Sequence, residues 1–64
     1  MTQVGATRTT HDENWSSCEV WSGSRWRAWW HASGPNHKEE AERMTRWMTD
    51  SLLSGEVTME EDNE

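Results

Sequence analysis

Apolar residues recur at helical spacing in the second half of the chain, between residues 36 and 55. Their i, i+3, i+4 spacing forms one stripe, as expected where a single side of a helix packs on a core. The stripe consists of Ala41, Met44, Met48 and Leu52, with Trp47 at its edge. This spacing predicts a helix over roughly 37–54.

Residues at both ends of this segment are typical of helix termini. Gly34 and Pro35 break the preceding structure, and Asn36 follows as a candidate N-cap. Glu39 stands three residues later, as in a capping box. Gly55 can end the helix in a left-handed C-cap.

The preceding segment predicts a β-hairpin over about 15–32, with the turn at Ser22-Gly23-Ser24. A three-residue loop would place Trp21 opposite Arg25. A two-residue loop would instead mix Trp21 with Trp26, and would place Val20 among the arginines. We therefore expect the three-residue loop.

That register divides the hairpin into an apolar face and a mixed face. The apolar face, expected to cover the helix, holds Cys18, Val20, Trp26, Ala28 and Trp30. The opposite face holds Glu19 and the candidate binding residues Trp15, Trp21, Arg25, Arg27, Trp29 and His31. Trp26 and Trp30 are accordingly expected in the core.

Residues 2–10 leave two alternatives open. Threonine and valine favour a third strand, whereas Gly5 and the general polarity favour a disordered arm. The predicted fold is α+β, with a small antiparallel sheet packed on one C-terminal helix in the order ββα or βββα. We divide the chain into residues 1–14 as an arm or edge strand, a body over 15–55, and an acidic, disordered tail over 56–64.

Composition indicates how such a core is filled. The 64-residue chain has no Ile, Phe or Tyr, but six Trp and four Met. Its aliphatic residues beyond alanine are Val4, Val20, Leu52, Leu53 and Val57. Tryptophan buries a large area per side chain, so a few of them can replace a conventional aliphatic core.

The net charge of −6 is concentrated in the tail. Residues 1–55 carry six basic and seven acidic side chains, whereas residues 56–64 carry five acidic and no basic ones. A body so close to neutrality argues against a duplex DNA-binding surface, which needs a basic excess.

The remaining features predict a cytoplasmic protein. Cys18 is the single cysteine, which excludes an internal disulfide and suits a reducing compartment. Residues 1–10 lack the apolar run of a signal peptide, and no apolar run suggests contact with a membrane. The small size and the unusual, tryptophan-rich composition suit an accessory protein of a phage or mobile element.

Cys18, His31 and His37 have spacings that match parts of a Cys2His2 zinc finger. The second cysteine is missing, however, and Gly34-Pro35 separates the two histidines. We therefore predict neither a metal nor another cofactor. We also predict no enzymatic activity, because Cys18 is expected on the packed face and the helix carboxylates are expected in solvent.

The mixed face of the hairpin is the strongest functional candidate. Tryptophan and arginine are enriched at the energetic centres of protein interfaces. The sequence therefore predicts a protein-binding module, acting as an adaptor, inhibitor or regulator, whose partner is another protein or a second copy of itself. Nucleic-acid binding through the same face is the alternative, since tryptophans can stack on single-stranded bases.

Residues 24–34, "SRWRAWWHASG", and 39–44, "EEAERM", carry a resemblance that supports this alternative. They resemble the sheet-then-helix domains of plant APETALA2-type factors and the arm-binding domains of phage integrases. The resemblance implies DNA recognition by arginine and tryptophan on the strands, and it requires residues 2–10 to supply a third strand.

Overall fold

The computed structural model describes residues 2–59. It contains three strands and one helix: β1 (Thr7–His11), β2 (Trp15–Trp21), β3 (Trp26–Ser33) and α1 (His37–Ser54). The strands form one antiparallel sheet in the order β1-β2-β3. This arrangement confirms the α+β prediction in its βββα form, with the third strand at residues 7–11, and α1 covers the predicted span.

The register between β2 and β3 corrects the predicted one. Trp21 lies beside Trp26 and Val20 beside Arg27, which is the pairing that we expected not to find. The turn is closed at Ser22, whose backbone N–H and hydroxyl both donate to the Arg25 carbonyl, at 3.0 and 2.9 Å. Arg25 is thereby held in the turn, away from the position opposite Trp21.

A β-bulge in β3 changes the pairing again further along the hairpin. Glu19 pairs with Ala28 but Cys18 pairs with Trp30, so Trp29 is the additional residue. An extra residue reverses the alternation of side chains beyond it. Before the bulge, odd-numbered residues such as Arg27 face the helix side; after it, even-numbered residues do. Ala32 is therefore paired with Ser16 and buried.

The core lies between the sheet and α1, and it consists of small side chains. Cys18 and Ala41 are fully buried in contact with Ala32, and Trp29 and Met44 pack around them. The Cys18 thiol donates a hydrogen bond to the Ala41 carbonyl at 3.0 Å. The helix and the central strand therefore approach closely here, because no bulky side chain separates them.

The predicted core tryptophans do not occupy this space. Trp26 pairs with Trp21 and is half-buried, and Trp30 is 37% exposed. Ala28, predicted to face the helix, pairs with Glu19 and is exposed. Trp29, which we placed on the opposite face, is the tryptophan that packs against the core. The register at the turn accounts for Trp29, because Arg27 pairs with Val20 on the helix side and alternation puts Trp29 on the same side.

The helix termini agree with the prediction at one end only. Gly55 ends α1 with a φ of 84°, the left-handed conformation that glycine adopts without strain. Asn36 occupies the N-cap position, but its side chain makes no capping hydrogen bond, so the predicted capping box with Glu39 is not formed.

The acidic tail predicted over 56–64 is described only as far as Met59, and residues 60–64 lie outside the described part of the chain. Within residues 2–59, no helix combines the length and the apolar character needed to cross a membrane.

Candidate binding surface

The two faces of the sheet differ in what they contact. Cys18 faces α1, as its hydrogen bond to Ala41 shows. Alternation along β2 therefore directs Trp15, Glu19 and Trp21 to the opposite side. No helix or strand formed by residues 2–59 lies over that side, which we call the outer face.

One end of the outer face holds an aromatic and ionic cluster. The rings of Trp21 and Trp26 meet edge to face, with centroids 5.4 Å apart. The Arg8 guanidinium lies 4.2 Å from the centroid of Trp26, within the range of a cation–π contact. Arg8 also donates through Nε to Glu19 Oε1 at 2.7 Å. These contacts fix the guanidinium over the indole and leave Trp21 and Trp26 half-buried.

The other end of the outer face is a second aromatic pair. Trp15 is 44% exposed and its ring lies 6.1 Å from that of His31. Small side chains occupy the middle of the face, where the hydroxyls of Thr10 and Ser17 are 2.7 Å apart. The outer face thus has small, polar side chains in its middle and aromatic side chains at both ends.

The six predicted binding residues are not all brought together. Trp15, Trp21 and His31 lie on the outer face, as expected. Arg25 is exposed in the β2–β3 turn, and Arg27 pairs with Val20, which puts it on the helix side at the sheet edge. Trp29 also lies on the helix side, so its assignment to the binding face was wrong.

Two residues of the aromatic and ionic cluster were not predicted. Trp26 was assigned to the core because the predicted three-residue loop put it on the apolar face of the hairpin. Arg8 belongs to a segment whose strand character was left open. The signal for Arg8 was its place in an alternating run, where Thr7 and Thr9 face the helix and bond to Thr49 and Thr45.

A second tryptophan cluster lies on the helix side, where β3 and α1 meet. The Trp29 ring is 6.3 Å from that of Trp30 and 5.9 Å from that of Trp47. Trp47 is 49% exposed. The Trp29 indole nitrogen is buried and has no hydrogen-bond partner within the described residues. Burying an indole N–H without a partner is costly, so packing must hold this ring in place.

A histidine–serine–histidine bridge centred on the buried Ser16 joins β1, β2 and α1. Ser16 is fully buried, and its hydroxyl lies 2.7 Å from His11 Nδ1 and 2.6 Å from His37 Nδ1. His37 Nε2 is 3.3 Å from the Glu13 carbonyl, which can only accept, so Nε2 carries the proton. In neutral His37, Nδ1 is then an acceptor for the Ser16 hydroxyl.

This bridge combines hydroxyl and imidazole groups that elsewhere perform nucleophilic catalysis. The Ser16 oxygen is closed to solvent, however, and its hydrogen bonds engage it with both rings. A nucleophile must reach a substrate carbonyl, which a fully buried hydroxyl does not do. No sequence pattern indicates the bridge, because its members are separated along the chain and are brought together only by the fold.

The three residues considered for zinc are separated by the sheet. Cys18 and His37 lie on the helix side, where each is engaged in a hydrogen bond, while His31 packs against Trp15 on the outer face. Residues 2–59 contain no group of three or more His, Cys, Asp or Glu side chains placed to hold a metal ion.

Comparison with known proteins gives no relative from which a role could be transferred. No protein-family model matches the chain, no curated protein matches it, and no solved structure matches it. The function must therefore be argued from the geometry alone.

Proposed function

We propose that this protein is a small, non-enzymatic protein-binding module that binds its partner through the outer face of the sheet. The observation that carries the proposal is the pair of aromatic clusters on a face that no other helix or strand of residues 2–59 covers. In a chain with five aliphatic residues beyond alanine, three of six tryptophans are placed away from the helix. These three tryptophans add apolar area to the outer face of the sheet instead of filling the core beneath the helix.

The composition of the outer face supports a protein partner. Tryptophan and arginine contribute most at interface centres, because they bury large areas and keep a polar or charged group available. Trp21, Trp26 and Arg8 already contact one another. A surface that is ordered before binding loses less side-chain entropy when the partner arrives.

The side chains of the outer face favour a partner segment with apolar residues. Arg8 is already paired with Glu19, so the cluster at this end offers mainly the indole surfaces of Trp21 and Trp26. His31 adds a polar ring at the other end. A segment with apolar side chains for the two aromatic ends would match this arrangement.

A displayed library of random peptides, selected on the immobilised full chain, tests this proposal. We expect enrichment of peptides that are rich in aromatic or aliphatic residues. Binding of a selected peptide should fall at least tenfold in Trp26→Ala, and it should be unchanged in the control Trp47→Ala on the helix side. Failure to enrich any peptide, or an equal loss in both variants, would refute the proposal.

Nucleic-acid binding is the second candidate, and one observation favours it. Residues 7–11 form the third strand that a sheet-reading domain requires, and Arg8 lies on the outer face beside Trp26. The near-neutral body and the acidic residues after Gly55 oppose it.

Gel-shift titration with single-stranded and duplex DNA at low salt separates the two candidates. If nucleic acid is the partner, a chain truncated after Gly55 should bind more tightly than the full chain, since acidic residues have been removed. Binding should also weaken steeply as salt is raised. Absence of a shift with both chains would eliminate this candidate.

A further inference from the structure

A groove lies where the residues before β1 meet the last turns of α1. Its volume is about 480 Å³, which is within the range of roughly 300–1,000 Å³ found for ligand-binding pockets. The apolar side chains that line it are Val4, Leu52, Leu53, Val57 and Met59. Four of these are among the five aliphatic residues beyond alanine that the whole chain contains, and none of the four is buried. The fold thus places most of its aliphatic side chains along this groove instead of in the core.

Backbone hydrogen bonds hold both walls of the groove. On one side, the Gly5 N–H donates to the Trp21 carbonyl and the Trp21 N–H donates to the Ala6 carbonyl, each at 2.9 Å. On the other side, the chain turns back after α1, and the Val57 N–H donates to the Ser51 carbonyl at 3.2 Å. The groove is therefore formed without a partner, and a groove formed in advance loses less conformational entropy on binding.

The charges around the groove are negative. The last turn of α1 has no basic side chain, so the partial negative charge of its terminal carbonyl groups is not compensated there. Asp50 lies three residues before Leu53 and hence on the same side of the helix. Glu56 directly precedes Val57, which lines the groove. Both carboxylates are exposed, and neither forms an ion pair within residues 2–59. This end of the molecule therefore favours a partner with basic side chains.

Other occupants fit the groove less well. Residues 60–64 comprise four acidic residues and one asparagine, so this end of the chain supplies no apolar side chain for the groove. A second copy that presented the same end would bring like charges together, which disfavours the contact. The same carboxylates would repel an anionic membrane surface. A basic protein segment with apolar side chains matches both the lining and the charge.

We propose that this groove binds a segment of a partner protein in which adjacent aliphatic side chains are flanked by Lys or Arg. The aliphatic side chains lie against Leu52, Leu53 and Val57, and the basic groups lie beside Asp50 and Glu56. The groove shares no lining residue with the aromatic clusters of the outer face. The proposal therefore does not depend on the function proposed above.

Titration of the isotope-labelled full chain with a synthetic peptide, followed by NMR, tests the proposal. The peptide has two adjacent leucines between pairs of lysines, and a second peptide has glutamates in place of the lysines. We expect the lysine peptide to shift the amide signals of Gly5, Leu53 and Val57, and the glutamate peptide to bind about tenfold more weakly or less. Shifts confined to Trp15 and Trp26 would place the peptide on the outer face and overturn the proposal. Groove signals that shift with protein concentration alone would identify a second copy as the occupant and overturn it as well.

Two variants separate the apolar contribution from the charge. Leu53 is 83% exposed, so Leu53→Ser should leave the fold intact by circular dichroism while raising the dissociation constant of the lysine peptide about fivefold or more. Glu56→Lys should raise it about threefold or more. The control, Glu40→Lys, makes the same charge change in the first turn of α1, at the other end of the helix, and should stay within about twofold of the wild type. Equal binding of the two peptides, an unchanged affinity in Leu53→Ser, or equal losses in Glu56→Lys and Glu40→Lys would refute the proposal.

Discussion

The two sides of the helix–sheet interface are built from different chemistry. Towards β1, α1 is joined to the sheet by polar pairs at 2.7 Å, Thr7–Thr49 and Thr9–Thr45. Towards β3, the contacts are aromatic and apolar: Trp29 and Met44 pack against the core, and the Trp29 ring lies 5.9 Å from that of Trp47. Cys18 and Ala41 meet in the middle, where the two halves join.

This difference shows how a chain poor in aliphatic residues makes a core. Burial of apolar area is the main favourable contribution to folding, and one tryptophan supplies much of it on the β3 side. Hydroxyl pairs add little net stability, but leaving one member unpaired is costly. The β3 side therefore supplies stability, whereas the β1 side makes the position of the helix specific.

Trp29→Ala should have the largest effect of any single change at this interface. It removes the tryptophan that packs against Cys18, Ala32 and Ala41, and the expected loss is about 3 kcal/mol in the free energy of unfolding, since large-to-small changes at buried aromatics cost roughly 3–5 kcal/mol. A domain of this size has about that much stability in total, so the variant should be largely unfolded at 25 °C.

Urea titration followed by circular dichroism measures this loss, with Trp15→Ala as the control. Trp15 is also a strand tryptophan, but it lies on the outer face and is 44% exposed. Its replacement should cost less than about 1 kcal/mol. Equal losses in the two variants would show that the β3 side is not the main source of stability.

The exchange of Trp29 for Trp26 and Trp30 marks the limit of what the sequence could predict. The helix was predictable because its apolar stripe and Gly55 act locally. The strands were predictable as elements, but their faces depend on the register at the turn and on a bulge, and alternation reveals neither. The pairing of Trp21 with Trp26 is stabilised by the edge-to-face contact between their rings and by the cation–π contact of Arg8 with Trp26.

The β1 side was less predictable still. The threonines of β1 are compatible with a strand or with a polar arm. The sequence contains no pattern that predicts the hydrogen bond between Thr9 and Thr45. The same holds for Ser16, which reads as an ordinary strand residue but is the fully buried centre of two imidazole contacts. Polar interactions between distant segments follow from the register, so they become visible only once the fold is known.

Ser16→Ala should have the second-largest effect, at about 2 kcal/mol. The change removes the partner of both His11 Nδ1 and His37 Nδ1, and His37 is buried. A buried polar group left without its hydrogen bond costs roughly 1–3 kcal/mol. The same urea titration measures the loss.

The control for this prediction is Ser33→Ala, at an exposed position of β3, which should change stability by no more than about 0.5 kcal/mol. Nitrogen chemical shifts of the wild-type imidazoles add a direct test of the bridge. Neutral His37 should carry its proton on Nε2, because the Glu13 carbonyl accepts from that atom. A proton found on Nδ1 would contradict the proposed direction of the bridge.

Thr9→Val and Thr45→Val should have the smallest effects, and together they distinguish specificity from stability. Each single change leaves one half-buried hydroxyl without its 2.7 Å partner, at a cost of about 1 kcal/mol. The double variant replaces both hydroxyls with methyl groups of similar shape, so its stability should return to within about 0.5 kcal/mol of the wild type. A double-mutant cycle from urea titrations measures this coupling. Additive losses would mean that the hydroxyl pair itself stabilises the fold. The β1 and β3 sides of the interface would then both supply stability, and they would differ only in how much.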